Sequence, residues 1–167
     1  MKRIRDWIFT IPFLVAFGLT LGVFEIIARV ARLFGLRPME VTMGVMQRLL
    51  LWELRLTGAK LVVERSEKLR GGTGYVLISN HQSLIDVPIF GGLLFSNYPK
   101  YIAKAELGRW LPAVSFNLTH GGNAIIDRDD PRQALRTIKA LGEECQQRNT
   151  AVVILSLIHI SEPTRLQ

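Results

Sequence analysis

A histidine and an aspartate lie five residues apart, at His81 and Asp86, directly after an apolar run that ends at Asn80. Histidine is the side chain whose ordinary titration lies closest to neutral pH, so it readily accepts a proton. An aspartate within reach of its second ring nitrogen fixes the tautomer and stabilises the imidazolium that forms. The pair could therefore act as a general base that removes a proton from a hydroxyl group.

The same spacing also occurs by chance. In that case Asp86 is only a helix cap and His81 is a turn residue bonded to the backbone. Neither Ser79 nor Ser83 lies in the Gly-x-Ser-x-Gly turn that exposes a nucleophilic serine. If the pair is catalytic, it therefore activates a hydroxyl of the substrate and not one of the protein.

Length and composition favour one domain that is held against an anionic surface. The 167 residues are enough for a domain with its own core. Hydrophobic residues make up 49% of the chain and the formal charge is +7, so the surface could be membrane or nucleic acid. With Cys145 as the single cysteine, an internal disulfide is excluded, and no Cys/His group has zinc-site spacing. We expect a reducing compartment and no metal.

The placement of the charges favours a membrane. An uncharged run from Trp7 to Phe24 follows three cations and is about as long as a bilayer-spanning helix. It exceeds a usual signal-peptide core, and no clear cleavage site follows. Because cations flank both ends, a full span and insertion into one leaflet both stay open. Two helices of a soluble core are the competing interpretation.

The next segment, Met39–Leu56, mixes apolar residues with four charged ones and is predicted to form a second, amphipathic helix. Residues 1–56 are thus predicted to anchor the chain. From residue 57 to residue 155, short strands alternate with helices, which indicates an α/β domain. We expect a mixed sheet flanked by helices, because the strand at Tyr75–Ser79 has no polar alternation and must be covered on both faces.

The predicted strands are Ala59–Glu64, Tyr75–Ser79, Lys100–Leu107 with its turn, Asn123–Asp127 and Ala151–Leu155. One predicted helix covers Val87–Phe95, where Pro88 is tolerable only in the first turn, so Asp86 should lie at or near the N-cap.

The second predicted helix begins with Asp130 as its cap, Pro131 at the first position and Gln133 where a capping box requires it. Its predicted buried face comprises Ala134, Leu135, Ile138 and Leu141.

Two further blocks follow the "NHQSLID" block of Asn80–Asp86. They are "KAEL", Lys104–Leu107, with Pro112 after it, and "GNAIIDR", Gly122–Arg128. In this order, and behind a hydrophobic N-terminus, the three blocks resemble the membrane-associated glycerolipid acyltransferases. The resemblance is greatest to the bacterial 1-acyl-sn-glycerol-3-phosphate acyltransferases, which act on lysophosphatidic acid.

This resemblance implies transfer of an acyl group from coenzyme A or acyl carrier protein to the free hydroxyl of lysophosphatidic acid, giving phosphatidic acid. It implies that His81 is the general base and that Asp86 orients it. No resident cofactor or metal is expected. Because the acceptor is a lipid, the resemblance also explains the membrane helices, and implies a bacterial inner membrane with the catalytic domain on the cytoplasmic face.

Arg128 is implied to bind the acceptor phosphate, because a guanidinium offers paired donors to phosphate oxygens. Pairing with the neighbouring Asp129 or Asp130 is the competing role of this side chain.

The other residues implied at the substrate site are Lys104, Gly122, Asn80, Ser83 and Glu106. Alternatives stay open for three of them: Lys104 could be a solvated strand end, Glu106 could serve the fold and Asn80 could brace the turn. We expect His120 and His159 to be structural or incidental.

The C-terminal residues depart from the family pattern. There a strand such as "AVVI" is followed by a Pro-Glu-Gly-Thr-Arg turn, whereas this chain continues "LSLIHISEPTRLQ". The sequence Glu162–Arg165 is similar to this turn, but it lies several residues further along the chain than the family pattern requires. Proline also replaces the glycine, which removes an N–H and fixes φ. Residues 156–167 resemble translated sequencing-adapter sequence. We expect the native sequence to stop near Ile154 or Leu155, leaving the domain incomplete and this fragment without activity of its own.

Other functions fit parts of the sequence. An acyltransferase for another lyso-lipid or lipid acceptor would share the three blocks, and a non-catalytic, membrane-anchored lipid-binding module would share the N-terminal helices. DNA binding is suggested by charge alone. The expected partners are membrane phospholipids, lysophosphatidic acid and the acyl donor, with no nucleic acid.

Overall fold

The computed structural model describes residues 2–105, 111–127 and 129–156. The helices are α1 (Lys2–Leu33), α2 (Leu36–Glu53), α3 (Asp86–Leu93), α4 (Val114–His120) and α5 (Pro131–Arg148), with short 3₁₀ turns at Leu54–Thr57 and Phe95–Asn97. The strands are β1 (Val76–Asn80), β2 (Lys100–Lys104), β3 (Ala124–Ile126) and β4 (Val152–Ser156). Of the predicted tail, residues 156–167, only Ser156 is described, as the last residue of β4; the others lie outside the described residues.

The four strands form one sheet in the order β1-β4-β2-β3, and every pair is parallel. The α/β class is therefore confirmed, although the sheet is parallel among the described strands and not mixed. Val152 pairs with Val76 on one side and with Lys100 on the other, so three strands begin at one level. We call the side where the strands begin the amino edge and the side where they end the carboxyl edge.

Alternate residues of β4 face different layers of the structure. The face that bears Val152 and Ile154 packs with α5, and the face that bears Val153 and Leu155 packs with α3. This burial on both sides accounts for the continuous apolar run of β4. The predicted cover on both faces is wrong for β1, where Val76 is 69% and Ile78 is 72% exposed. Helices α3 and α5 therefore cover opposite faces of the sheet.

Helices α1 and α2 form a pair with a core of their own, which contains Leu21, Ala28, Met39, Met43, Met46 and Leu50. The predicted second helix is confirmed, and the first is longer than its uncharged run. The stretch Trp7–Leu33 of α1 is long and apolar enough to cross a membrane. Most of its large apolar side chains are exposed, Trp7 and Leu14 among them.

Helix α2 packs on α3 at close backbone distance because α3 carries two glycines there. A Cβ atom at Gly91 would overlap the side-chain amide of Gln47, and one at Gly92 would overlap the side chain of Leu51. Arg48 also donates a hydrogen bond from Nε to the carbonyl of Gly92, at 3.2 Å. The helix pair is thus held against the α/β layers through α3.

The predicted strand at Ala59–Glu64 is wrong. These residues are irregular and exposed, and among the described residues no strand pairs with them. A strand exists only through hydrogen bonds to a neighbour, and β1, the next strand along the chain, pairs with β4 alone. The apolar pattern of Leu61, Val62 and Val63 predicted a strand without a partner to form it.

Helix α4 was not predicted, because seven residues are too few to show a helical period. It packs against α1: the guanidinium of Arg29 lies 4.8 Å from the ring centre of Phe116, and Arg32 donates to the carbonyl of His120.

The start of α5 follows the prediction in part. Asp130 caps the helix by accepting hydrogen bonds from two backbone N–H groups. Gln133 does not complete the predicted capping box; its Oε1 accepts instead from the backbone N–H of Asp127, at 3.1 Å. Leu135, predicted to be buried, is 70% exposed, because the inward face of the helix runs through Leu141 and Cys145.

Candidate active site

A tight turn joins β1 to α3 and brings the two predicted catalytic residues together. The backbone N–H of Asp86 donates to the carbonyl of Ser83, at 3.1 Å, and the Ser83 hydroxyl accepts from the N–H of Ile85, at 3.2 Å. Such local bonds are typical of serine at turns. Asp86 is the first residue of α3 and not its N-cap, which is Ile85. Its side chain is therefore available to point back into the turn.

The Asp86 carboxylate accepts three hydrogen bonds through Oδ2. Nδ1 of His81 lies 2.9 Å away, the N–H of Gln82 lies 2.7 Å away and the N–H of Ser83 lies 2.9 Å away. The sequence did not predict these two backbone donors, because every residue except proline has a backbone N–H and residue types therefore do not indicate which one is used. They fix the carboxylate in place, and the carboxylate then fixes the imidazole ring.

Partial burial raises the pKa of Asp86, but the hydrogen bonds from Ser83, His81 and Gln82 outweigh it, so that this pKa lies below its ordinary value. The carboxyl group is therefore ionised at neutral pH and accepts from its neighbours. Because Nδ1 of His81 faces this carboxylate, Nδ1 carries the ring proton and Nε2 holds the lone pair. Nε2 is thus the atom that can accept a proton.

The histidine side chain is 29% exposed and that of the aspartate 18%. Within the part of the chain that the structure describes, Nε2 has no hydrogen-bond partner. A ligand hydroxyl can reach it from solvent. Ser79 donates to the carbonyl of Asn80, so this hydroxyl is also engaged locally. The geometry fits a base that acts on a bound hydroxyl.

The carboxyl edge also contains Asn80 and Lys104. Asn80 ends β1 and Lys104 ends β2, and β4 lies between these two strands in the sheet. Ser83 lies in the turn itself. These three predicted substrate residues therefore share an edge with His81.

Gly122 does not belong to this group. It precedes β3 and lies at the amino edge, where its φ of +73° suits a glycine and its nearest neighbours belong to Leu36, Glu144 and Lys100. Its position indicates a turn residue. Glu106 and Arg128 lie outside the described residues.

A groove of about 1000 Å³ opens beside the C-terminal end of α2. Its lining contains Arg48, Leu51, Trp52, Leu54, Arg55, Gly58, Ala59, Lys60, Leu61 and Val62. None of the described residues of the predicted site lines it, so the groove is separate from the predicted catalytic pair. It is a basic and apolar surface next to the helix pair. Among the described residues, no group of three metal-ligating side chains exists.

The chain is similar in sequence to known acyltransferases. The sequence model of a family described as "Acyltransferase" matches residues 60–156, more than half of the chain. A 1-acyl-sn-glycerol-3-phosphate acyltransferase of Helicobacter pylori is 35% identical over 78 residues, which are 47% of this chain and 32% of the relative. The chain thus spans about a third of that relative.

A solved structure has the same fold. The crystal structure of the 1-acyl-sn-glycerophosphate (LPA) acyltransferase PlsC from Thermotoga maritima matches 92% of this chain with a TM-score of 0.68. The match covers 61% of the solved chain at 19% sequence identity. The arrangement of a parallel sheet, its helices and the N-terminal helix pair therefore recurs in a protein of distant sequence.

Proposed function

Because the chain belongs to the acyltransferase family whose sequence model it matches, we propose that it transfers an acyl group from a thioester to the free hydroxyl of lysophosphatidic acid, giving phosphatidic acid. The relatives named above carry this acceptor in their names. The observation that supports the proposal most directly is the His81–Asp86 pair, which leaves a proton acceptor open at the carboxyl edge. Ligands of parallel α/β sheets commonly bind at this edge.

The reaction follows from the geometry. Nε2 of His81 takes the proton of the acceptor hydroxyl while the hydroxyl oxygen attacks the thioester carbonyl carbon. Asp86 stabilises the imidazolium that forms, through Nδ1. The C–S bond then breaks, and the leaving thiolate takes the proton from the imidazolium. The products are the new ester and a free thiol, and His81 is neutral again.

We assign the acceptor phosphate to Arg128, with Lys104 as a second cation. The support for Arg128 is indirect: its described neighbours, Asp127 and Asp129, follow the carboxyl end of β3, at the same edge as His81. Asn80, Ser83 and Glu106 complete the proposed substrate site. No resident cofactor or metal takes part, and the acyl donor is carried by coenzyme A or by acyl carrier protein.

The proposed setting is a bacterial inner membrane, with the α/β domain on its cytoplasmic face. Helix α1 supports a membrane anchor by its length and its exposed apolar surface. Lysophosphatidic acid partitions into the bilayer, so an enzyme held there meets its acceptor at the membrane surface. Membrane phospholipids are thus both neighbours and products of the proposed reaction.

The test is an acyl-transfer assay on a full-length protein that contains this sequence, since the fragment alone is expected to lack activity. Radiolabelled acyl-CoA is offered with three acceptors: lysophosphatidic acid, lysophosphatidylcholine and glycerol 3-phosphate. We expect labelled phosphatidic acid as the main product. Preference for another lyso-lipid would replace the proposed acceptor, and no transfer to any acceptor would overturn the function. Arg128→Ala should raise the KM for lysophosphatidic acid at least tenfold. The matched control is Arg70→Ala, which changes an exposed arginine in the loop before β1.

A further inference from the structure

The exposed side of α5 carries a stripe of four residues that we call the basic stripe: Arg132, Leu135, Arg136 and Lys139. Their spacing of i, i+3, i+4 and i+7 places them on one face of the helix. All four are exposed, and the side chain of Leu135 is 70% accessible. The stripe is thus an apolar residue flanked by three cations.

Within the described residues, the cations of the stripe have at most one weak ion pair. In the described parts of the structure, the side chains of Arg132 and Arg136 make no ion pair. Lys139 lies 3.9 Å from Glu143, but both are exposed, and such a pair contributes less than about 1 kcal/mol.

Two of the acids that precede the helix are engaged, because Asp130 caps the helix and the Asp127 carboxylate accepts from the N–H of Asp129. The stripe can therefore meet an external anion.

Its place in the fold separates the stripe from the membrane helices. Helix α5 covers the sheet face opposite to α3, whereas the α1–α2 pair packs on α3. The α1–α2 pair meets α5 near its C-terminal end, where Arg148 contacts Glu40, whereas the stripe lies in the first half of the helix. Its first residue, Arg132, lies just after the loop that leaves the carboxyl edge of β3. From β3 to β1, which leads into His81, there are three strand spacings, or about 14 Å.

We propose that the basic stripe docks a carrier protein with an acidic surface, which presents the acyl thioester to the carboxyl edge. This inference rests on the proposed function. An acidic surface complements the three cations, and an apolar residue of the carrier can pack on Leu135, so the contact has an apolar centre and a charged rim. Electrostatic attraction speeds the encounter and makes binding sensitive to salt.

The experiment measures binding and donor use on the same variants. Palmitoyl-acyl carrier protein with a fluorescent label is titrated against the detergent-solubilised full-length protein that contains this sequence. Arg136→Glu should weaken binding at least tenfold, and Leu135→Ala about threefold, with added salt weakening the wild-type complex. In acyl transfer, Arg136→Glu should raise the KM for the carrier-bound donor at least tenfold and change the KM for palmitoyl-CoA less than twofold. Lys68→Glu, an exposed lysine before β1, is the control.

The outcomes separate this inference from the function that it rests on. His81→Ala should lower transfer from both donors by about 100-fold or more and leave carrier binding unchanged. Without transfer from either donor, the proposed function fails, and the binding titration alone still decides about the stripe. Carrier binding that is absent, or equal in wild type and both stripe variants, overturns the docking surface. So does a defect of Arg136→Glu that appears with anionic phosphatidylglycerol vesicles and not with the carrier, because the stripe would then face a membrane.

Discussion

The two edges of the sheet hold charged groups for opposite purposes. At the carboxyl edge, His81 and Asp86 are partly exposed, and Nε2 of the histidine points to no described partner. At the amino edge, Lys100 is 3% exposed, and its ammonium group contacts the Glu40 carboxylate and the carbonyl of Gly121. Arg148 adds two hydrogen bonds to the same Glu40, each of 2.8 Å. At the carboxyl edge, Nε2 of His81 has no hydrogen-bond partner among the described residues. At the amino edge, Lys100 and Arg148 are both paired with Glu40.

This difference shows which polar clusters can do chemistry. Burial without a partner is costly, so a buried cluster such as that of Glu40 is complete and joins α2 to β2 and α5. An accessible cluster can keep one site open, because water fills it until a substrate arrives. We therefore expect changes at the carboxyl edge to affect turnover, and changes at the amino edge to affect stability.

The largest effect is expected for His81→Ala. Loss of a general base should lower kcat for acyl transfer by about 100- to 10,000-fold, with little change in thermal unfolding. The measurement is the rate with saturating acceptor. His120→Ala is the matched control, since this histidine stacks on Phe116 in the α1–α4 contact, with ring centres 4.4 Å apart. Near-normal turnover of His81→Ala would remove the proposed base.

Glu40→Gln should be the most destabilising change at the amino edge. It leaves Lys100 and Arg148 without their shared anion, and breaking a buried pair costs about 3–5 kcal/mol. Thermal or denaturant unfolding in detergent measures this loss. The kcat of the molecules that remain folded should stay within about twofold of wild type. A larger fall in kcat, with stability intact, would show that the two edges are not separate in function.

The two edges should also titrate differently. Hydrogen bonds hold the pKa of Asp86 below its ordinary 3.8, so the stability that its carboxylate contributes is complete above pH 3.8 and disappears as the pH falls through the folded-state value. Burial lowers the pKa of Lys100 from 10.5, even though Glu40 opposes the change. The unfolded chain then binds the extra proton, so stability rises with pH towards 10.5.

Unfolding free energies of wild type, Asp86→Asn and Lys100→Met across this pH range test both signs. The difference in unfolding free energy between wild type and Asp86→Asn should vanish in acid. As the pH rises towards 10.5, the unfolding free energy of wild type should increase relative to that of Lys100→Met. A difference that stays constant with pH would contradict the corresponding assignment.

The smallest effect is expected at Gly122. Alanine there would have to adopt a φ of +73°, which costs about 1 kcal/mol, although its Cβ would meet no atom closer than 3.5 Å. Gly142 of α5 has open space around it, so Gly142→Ala should stabilise the helix by up to about 1 kcal/mol. A changed KM for lysophosphatidic acid in Gly122→Ala would restore this glycine to the substrate site.

What the sequence predicts well is local. The turn that contains His81 and Asp86, the cap at Asp130 and the strand that ends at Asn80 all depend on residues within a few positions of one another. Residue types and spacing therefore carry the information. The role of the pair in catalysis stays a prediction, as do those of Arg128 and Glu106.

What the sequence does not predict depends on distant partners. The strand expected at Ala59–Glu64 needed a neighbour that its own pattern cannot supply. The ion cluster of Glu40 joins residues 60 and 108 positions apart in the chain, and nothing local distinguishes them. The exposure of Leu135 likewise depends on how α5 is rotated on the sheet, and a helical period alone leaves that rotation undetermined.

The two glycines of α3 fix the distance between helix α2 and the His81–Asp86 pair. Asp86 begins this helix, and Gly91 and Gly92 lie near its end, in direct contact with α2. Eight helical residues measure about 12 Å, so α3 is a spacer of fixed length between the N-terminal helix pair and the proposed base. Inserting a single residue would rotate Asp86 by about 100° relative to α2. The depth at which the helix pair sits in a bilayer would therefore set the height at which the reaction takes place.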